Sequence, residues 1–448
     1  MPIHSRHAAA AAGAIAVCSL NSTASAGGYG LEQHSARALG AAFAGAQARA
    51  GDPGLAIYNP AAIAGVKGLD LSVNATGVWS RSSYENAAGV LLGAVPIAGR
   101  SDDRNIGANA VIPALAIASP LTDRITFGLT VHSPFGLKTS YAPDSAVRYQ
   151  AQLSEAKTIA AMPTLAIDLT DNFTIAGGLR VQYIDLSVTA TIDAGGAAAA
   201  SMVPGFIPGS SDLPAEFDGD DVEIGFAAGF QASLTPQLTV GGSYFSKIDH
   251  DIEGDASFDL AASTAGQALN ALAGLFAPST FASDFNTPAS AGLGVEYAAN
   301  ERLTLLASAT WLNWSTFEDV SLVFSNPAQP PEILNQDWND GWTLSLGGEL
   351  DAGASTVLRA GFMYDATPVN DAFASPRIPD ADRYWVTAGV TQLLGEHLSA
   401  DLGLAVAFFD DRQISLPGVA PEDLLRGSLD ATLETTAFAV SGRLRYSF

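Results

Sequence analysis

The chain has a single cysteine, Cys18, among 448 residues, and only 21 lysines and arginines against 46 aspartates and glutamates. It also lacks any run of about 20 apolar residues, the length a membrane-spanning helix needs. Each scarcity excludes something. One cysteine leaves no disulfide framework, so stability has to come from elsewhere. A formal net charge of −25 argues against nucleic acid, whose phosphates are held by neutralising cations. Charged residues are 15% of the chain, below the roughly 25% of soluble domains, while hydrophobic residues are 48%. A chain this apolar without a long run must spread its apolar residues over alternate positions, which is the pattern of a transmembrane β-barrel.

Residues 1–26 read as a secretory signal. Arg6 supplies the positive start, Ala8 to Cys18 the apolar stretch, and Ala24-Ser25-Ala26 the small-residue cleavage site. Val17 precedes Cys18, which argues against a lipoprotein site. The mature chain is expected to carry no thiol.

From residue 69 onward the period is two. Leu69, Leu71 and Val73 alternate with Asp70, Ser72 and Asn74, and the run continues to Trp79. Further alternating runs are predicted near 106–118, 125–131, 157–168, 172–192, 222–233, 237–259, 287–297, 302–325, 339–350, 355–366, 383–393 and 397–410, with a last one ending the chain. The fold class expected is all-β, a fourteen-stranded antiparallel transmembrane barrel over 69–448. Short turns rich in Pro, Gly, Asn and Asp join alternate pairs, and long loops join the rest, which is the outer-membrane plan. A soluble sandwich fits the alternation too, but lipid demands the closure that removes every strand edge. The acidic stretch Asp212 to Glu223 reads as part of a solvated loop, and its spacing does not match an EF-hand. In the fifth strand the apolar phase changes near Tyr183, which predicts a bulge. Pro113 and Pro163 inside strands predict bulges or gaps in the wall.

Residues 27–68 differ. They are small and Gly-punctuated, with Gly51-Asp52-Pro53-Gly54 as a turn and a short helix possible over 33–44. Such a segment is allowed inside a barrel, where its backbone meets the wall rather than lipid. It contains Asn59-Pro60-Ala61. A water channel needs two such motifs among membrane helices, which are absent here. The segment resembles instead the N-terminal hatch of FadL-type long-chain fatty-acid transporters and their toluene-transporter relatives, which carry the same Asn-Pro-Ala. Ser133-Pro134-Phe135-Gly136-Leu137-Lys138, Tyr364-Asp365-Ala366-Thr367-Pro368-Val369 and Ile378-Pro379-Asp380-Ala381-Asp382-Arg383-Tyr384-Trp385 resemble later stretches of that family. The resemblance implies a bacterial outer-membrane location, fourteen strands, a hatch that closes them, capture of ligand outside, and lateral exit through a kink in the third strand. The final face Phe438, Val440, Leu444, Tyr446 and Phe448 resembles the signature read by the barrel-assembly machinery.

The expected partners are a long-chain fatty acid or other small hydrophobic molecule, and outer-membrane lipid, with the chain a monomer. No cofactor and no metal are expected, and no energy source is visible, so movement would follow the concentration gradient. Asn59, Pro60 and Ala61 are the expected gate. Apolar loop residues Phe206 and Ile207, and Leu272, Leu275, Phe276 and Phe281 at helical spacing, are candidates for capture. Arg180, Arg359 and Arg148 are candidates for meeting a carboxylate. The resemblance does not map the family's basic pocket residues cleanly, which leaves neutral aromatic hydrocarbons as the alternative cargo. His34, His132, His250 and His397 lie on different elements without a catalytic or metal spacing. An outer-membrane enzyme and a general porin are the remaining alternatives. A porin needs neither a plug nor apolar loops.

Overall fold

The computed structural model describes residues 27–420 and 423–448. The expected signal, 1–26, lies outside the described residues. Fourteen wall strands close into one antiparallel barrel. They are β1 (Asp70–Ala88), β2 (Ala110–Thr122), β3 (Ile125–His132, resumed at Gly136–Ser140), β4 (Leu153–Thr170), β5 (Phe173–Asp193), β6 (Asp212–Ser233) and β7 (Leu238–Phe245, resumed at Ile248–Phe258). Then come β8 (Ser279–Thr287, resumed at Ser290–Ala298), β9 (Leu303–Leu312, resumed at Asp319–Phe324), β10 (Gly341–Asp351), β11 (Thr356–Ala366), β12 (Arg383–Leu393), β13 (Leu398–Phe409, resumed at Arg412–Leu416) and β14 (Leu429–Ser447). Closure is the pairing of β1 with β14, from Asp70 opposite Ser447 to Ala88 opposite Asp430.

Alternation sets which way each side chain points. Val73, Leu179, Ile224, Leu293 and Leu346 face outward and are exposed to the surroundings of the barrel. Aromatics rim this apolar band, with Trp79, Trp342, Tyr384 and Phe438 above and Tyr297, Tyr446 and Phe448 below. The strands then continue upward beyond the band. There the outside is water and the inside is filled by loops, so the apolar phase changes sides without any change in register. On β5, Val181 and Tyr183 face out, whereas Ile184 is fully buried and Leu186 and Val188 pack inward. The pairing of β5 with β6 is unbroken from Asp193 opposite Asp212 to Phe173 opposite Ala232. The bulge expected near Tyr183 is therefore absent. The same switch explains the stretch from Asp212, which is strand and not loop: Leu213, Ala215 and Phe217 point inward and Glu216, Asp218 and Asp220 point out. Ser119 to Thr122, expected in a turn, likewise belong to β2.

Pro113 pairs with Ala75 without a shift. Pro163 keeps its register with β3, but the β4–β5 pairing skips Met162 and Pro163. β3 carries a one-residue excess, where Ser133, Pro134 and Phe135 stand opposite only Thr158 and Ile159. One extra residue on one strand is a bulge, and it bends the strand. β2 stops pairing with β3 at Ala114 opposite His132, so the wall has a slot beside this bend.

Inside the barrel, residues 27–68 form a short helix α1 (Ala36–Leu39) and three tight turns. Ser35 caps α1 by accepting from the Ala38 N–H. Asp52 and Asn59 cap the turns that follow, each with proline in the next position, where its missing N–H costs nothing. The segment touches the wall at backbone distance. A Cβ on Gly389 would come within 2.8 Å of the Gly40 Cα, and one on Gly361 would collide with the Ala41 backbone. Only glycine allows this approach.

Candidate functional site

Two different attachments hold the inner segment. The lower one is ionic. Asp52, with no exposed side-chain surface, meets Arg443 at 2.7 Å and Arg37 at 3.0 Å. Arg443 continues to Asp401 at 2.6 Å, and Arg49 reaches Glu349 at 2.7 Å and Glu296 at 3.4 Å. Burial opposes a charge on Asp52, yet the three arginines around it hold its carboxyl well below the usual range. Asn59 belongs to this fixed part. Its amide donates to the Gln47 carbonyl at 2.6 Å and to the Phe230 carbonyl of β6 at 3.0 Å, and its oxygen accepts from Ala61.

The upper attachment consists of residues 27–34. The Leu31 N–H donates to the Pro134 carbonyl and the Gly136 N–H donates to the Tyr29 carbonyl, both at 2.9 Å. Thr158 on β4 takes the N–H and carbonyl of Phe135 through its hydroxyl. Tyr29 and Leu31 therefore take the other edge of the bend, the one β2 leaves unpaired. His34 Nε2 donates to the Ser133 carbonyl at 2.8 Å, and burial lowers its pKa to about 4, which keeps the ring neutral. The Tyr29 ring sits in a cage of Phe135, Phe285, Trp314, Phe317 and Trp338, with centroids 4.5 to 6.1 Å away. The Gly27 N–H points at Asp365 (3.1 Å) and the Gly28 N–H at Asp380 (2.9 Å). Arg383 bridges both carboxylates, at 2.9 and 3.1 Å. Burial, and then the Asp365 carboxylate, push Glu32 up to about 8.

Between the two attachments lies a lumenal cavity of about 120 Å³, bordered by Leu31, Glu32, Tyr58, His132, Arg180 and Phe245. Arg180 donates to the Ser246 carbonyl at 2.8 Å and lies over the Phe245 ring, and among the described residues no carboxylate forms an ion pair with it. The other candidate arginines are occupied: Arg359 by Glu349 and Thr391, Arg148 by Asp212 at 2.9 Å.

The loop candidates divide. Phe276 and Phe281 are buried in the cap of the barrel with Phe217 and Phe258, and Phe206 and Leu275 pack against it. Ile207 and Leu272 project from it, as does Met202. The helical spacing expected through Phe281 is not realised. Helix α3 (Thr264–Ala273), like the shorter α2 (Ala194–Ala200), is a loop helix, and α3 ends at Gly274, which takes a left-handed φ of 71°. Phe281 lies on β8. Sequence reasoning did not single out Tyr29, and its one signal was an isolated aromatic among glycines. The roles of Asp365, Asp380 and Arg383 needed the fold to bring them to Gly27.

A closed outer-membrane barrel, plugged from within by its own N-terminal segment and bent in its third strand beside that plug, defines a class of transport proteins. The chain belongs to the outer membrane protein transport protein family (OMPP1/FadL/TodX), whose profile matches residues 17–448. It is 25% identical over 444 residues to a putative outer membrane protein of Neisseria meningitidis, covering 94% of this chain and 95% of that one. It is 24% identical over 414 residues to a long-chain fatty acid transport protein of Escherichia coli, covering 87% and 89%. The structure of a Pseudomonas aeruginosa FadL homologue superimposes with a TM-score of 0.87 at 25% identity, covering 94% of this chain and all of that one. The Pseudomonas putida toluene transporter TodX shares the fold, with a TM-score of 0.67 at 18% identity.

Proposed function

We propose that this barrel takes up long-chain fatty acids across the outer membrane by passive diffusion, and that residues 27–34 are its gate. The observation that carries the reading is the attachment of Tyr29 and Leu31 to the bent edge of β3. While they stay there, the slot is filled and its backbone groups are satisfied. Once a ligand displaces them, the lumen gains an exit sideways between β2 and β3. The exposed Ile207, Leu272 and Met202 offer an adsorption surface above. Arg180, buried with no ionic partner among the described residues, is suited to a carboxylate, since a charge-assisted hydrogen bond would satisfy it. Cleavage after Ala26, the boundary expected from the sequence, places a new α-ammonium at Gly27 against Asp365 and Asp380. That charge strengthens the closed state and sets what a ligand must overcome. The gate is thus the upper attachment. The Asn59 motif serves as the anchor against which it moves.

The test is oleate and toluene binding to the refolded protein, followed by uptake with Tyr29→Ala. Oleate binding together with a changed uptake rate in Tyr29→Ala supports the reading. Binding of toluene alone moves the cargo to neutral hydrocarbons. Binding of neither, with steady ion conductance, replaces the transporter by a pore.

A further inference from the structure

The lipid-facing wall carries a concavity far from the bend in β3. Its outward residues form a checkerboard over five strands. One row reads Ala228, Tyr244, Ala291, Trp311 and Trp342, each directly opposite the next. The row below reads Phe230, Gly242, Leu293, Ala309 and Leu344. Large and small side chains alternate in both directions as far as Trp311, and the small ones leave a groove of about 770 Å³. That lies within the roughly 300–1,000 Å³ of small-molecule sites. Among the described residues, no charged one lines it. Its upper edge is at the level of the aromatic rim. The Trp311 indole N–H donates to Asp340 at 2.9 Å, which fixes one wall of the groove.

The inner side of the same patch is shut. Gln47 of the plug fills the space that side chains on Gly241, Gly292 and Gly294 would occupy. Gln47 thus closes the lumenal side behind the groove, which is continuous with the lipid-contacting band. We propose that it is a binding site for one acyl chain of an outer-leaflet membrane lipid, retained more tightly than the chains around it. An acyl chain matches the uncharged, mostly apolar lining, and the indoles at the rim suit the boundary with its headgroup. The proposal rests on the membrane placement of the barrel and is independent of what it transports.

The test is native mass spectrometry of the protein extracted from membranes in mild detergent, beside the double variant Ala291→Leu/Ala309→Leu, which fills the groove from outside. The expected result is a bound diacyl lipid on the wild type and at least a tenfold smaller lipid-bound fraction on the variant, with lumenal oleate binding unchanged. Equal lipid retention by both proteins overturns the proposal. So does a wild-type dimer that the variant breaks, which would make the groove a self-interface, and so does a bound free fatty acid in place of a diacyl lipid. A second measurement needs no filled groove. Wild-type protein loaded with bromine-labelled phosphatidylglycerol is chased with unlabelled lipid. Slow recovery of the fluorescence that Trp311→Phe and Trp342→Phe remove supports retention, and recovery at the rate of Trp79 overturns it.

Discussion

At the scale of single residues, burial decides which charges are available. Arg180 and Arg359, on the lumenal phase of their strands, and Arg148, near the mouth, were all candidates in sequence. The fold pairs Arg359 and Arg148 with carboxylates and leaves Arg180 with a carbonyl and a ring. A hydrogen bond to a charged group contributes about 1.5–3 kcal/mol, so Arg180→Ala should weaken oleate binding roughly 10- to 100-fold and leave toluene binding unchanged. Titration calorimetry with both ligands checks it. Glu32 carries a pH dependence. Its pKa is about 8 when the segment is docked and 4.5 ordinarily, so the docked form keeps its proton while the released form loses it. The Glu32 contribution to docking therefore falls as pH rises from about 4.5 to about 8 and levels off above. His34, held near 4 when docked against 6.5 ordinarily, opposes it up to about 6.5, so the net weakening falls between about 6.5 and about 8. Trp314 and Trp338, which contact Tyr29, should report this in their emission, and Glu32→Gln should flatten the profile.

At the scale of elements, the strands were legible wherever one face met lipid. The periods of β3, β6 and β12 needed nothing but alternation. What misled was the assumption that a change of apolar phase means a change of register. Above the membrane the apolar face simply points the other way, because water has replaced lipid outside and loops have replaced water inside. The bend in β3 is the opposite case, a true irregularity whose partner, Gly30, is far away in sequence. Gly30 and Phe135 bridge as an antiparallel pair, and opposed antiparallel residues have Cα atoms about 4.5–5.5 Å apart, inside the roughly 4.4–6.8 Å that a disulfide spans. A Gly30→Cys/Phe135→Cys protein should oxidise readily, lose fatty-acid uptake in cells, and regain it on reduction. Uptake that persists with the bond formed would remove the segment from the transport path.

At the scale of the whole molecule, the plug is held by two attachments of different kind, and the proposed gate uses the upper one. The network of Asp52, Arg37, Arg443, Asp401, Arg49 and Glu349 joins it to β10, β13 and β14. Removing one member of a buried ion pair costs roughly 3–5 kcal/mol, because the remaining charges are stranded. Asp52→Ala should therefore loosen the entire plug, and planar-bilayer recordings should show ion openings that the wild type lacks. Tyr29→Ala, which touches only the upper attachment, should leave the bilayer sealed to ions.

The sequence by itself determined the barrel, its strand number, the plugging segment and the outer-membrane setting, because alternation, turn chemistry and a lack of long apolar runs are local properties of a chain in lipid. Tertiary structure alone decided which of the three candidate arginines stays without an ionic partner among the described residues, where β3 bends away from β2, which glycines let the plug touch the wall, and where the outer surface is concave. Each of these depends on residues distant in the chain meeting across a lumen or along neighbouring strands. Such encounters are set by register and burial, which the order of residues along one strand does not display.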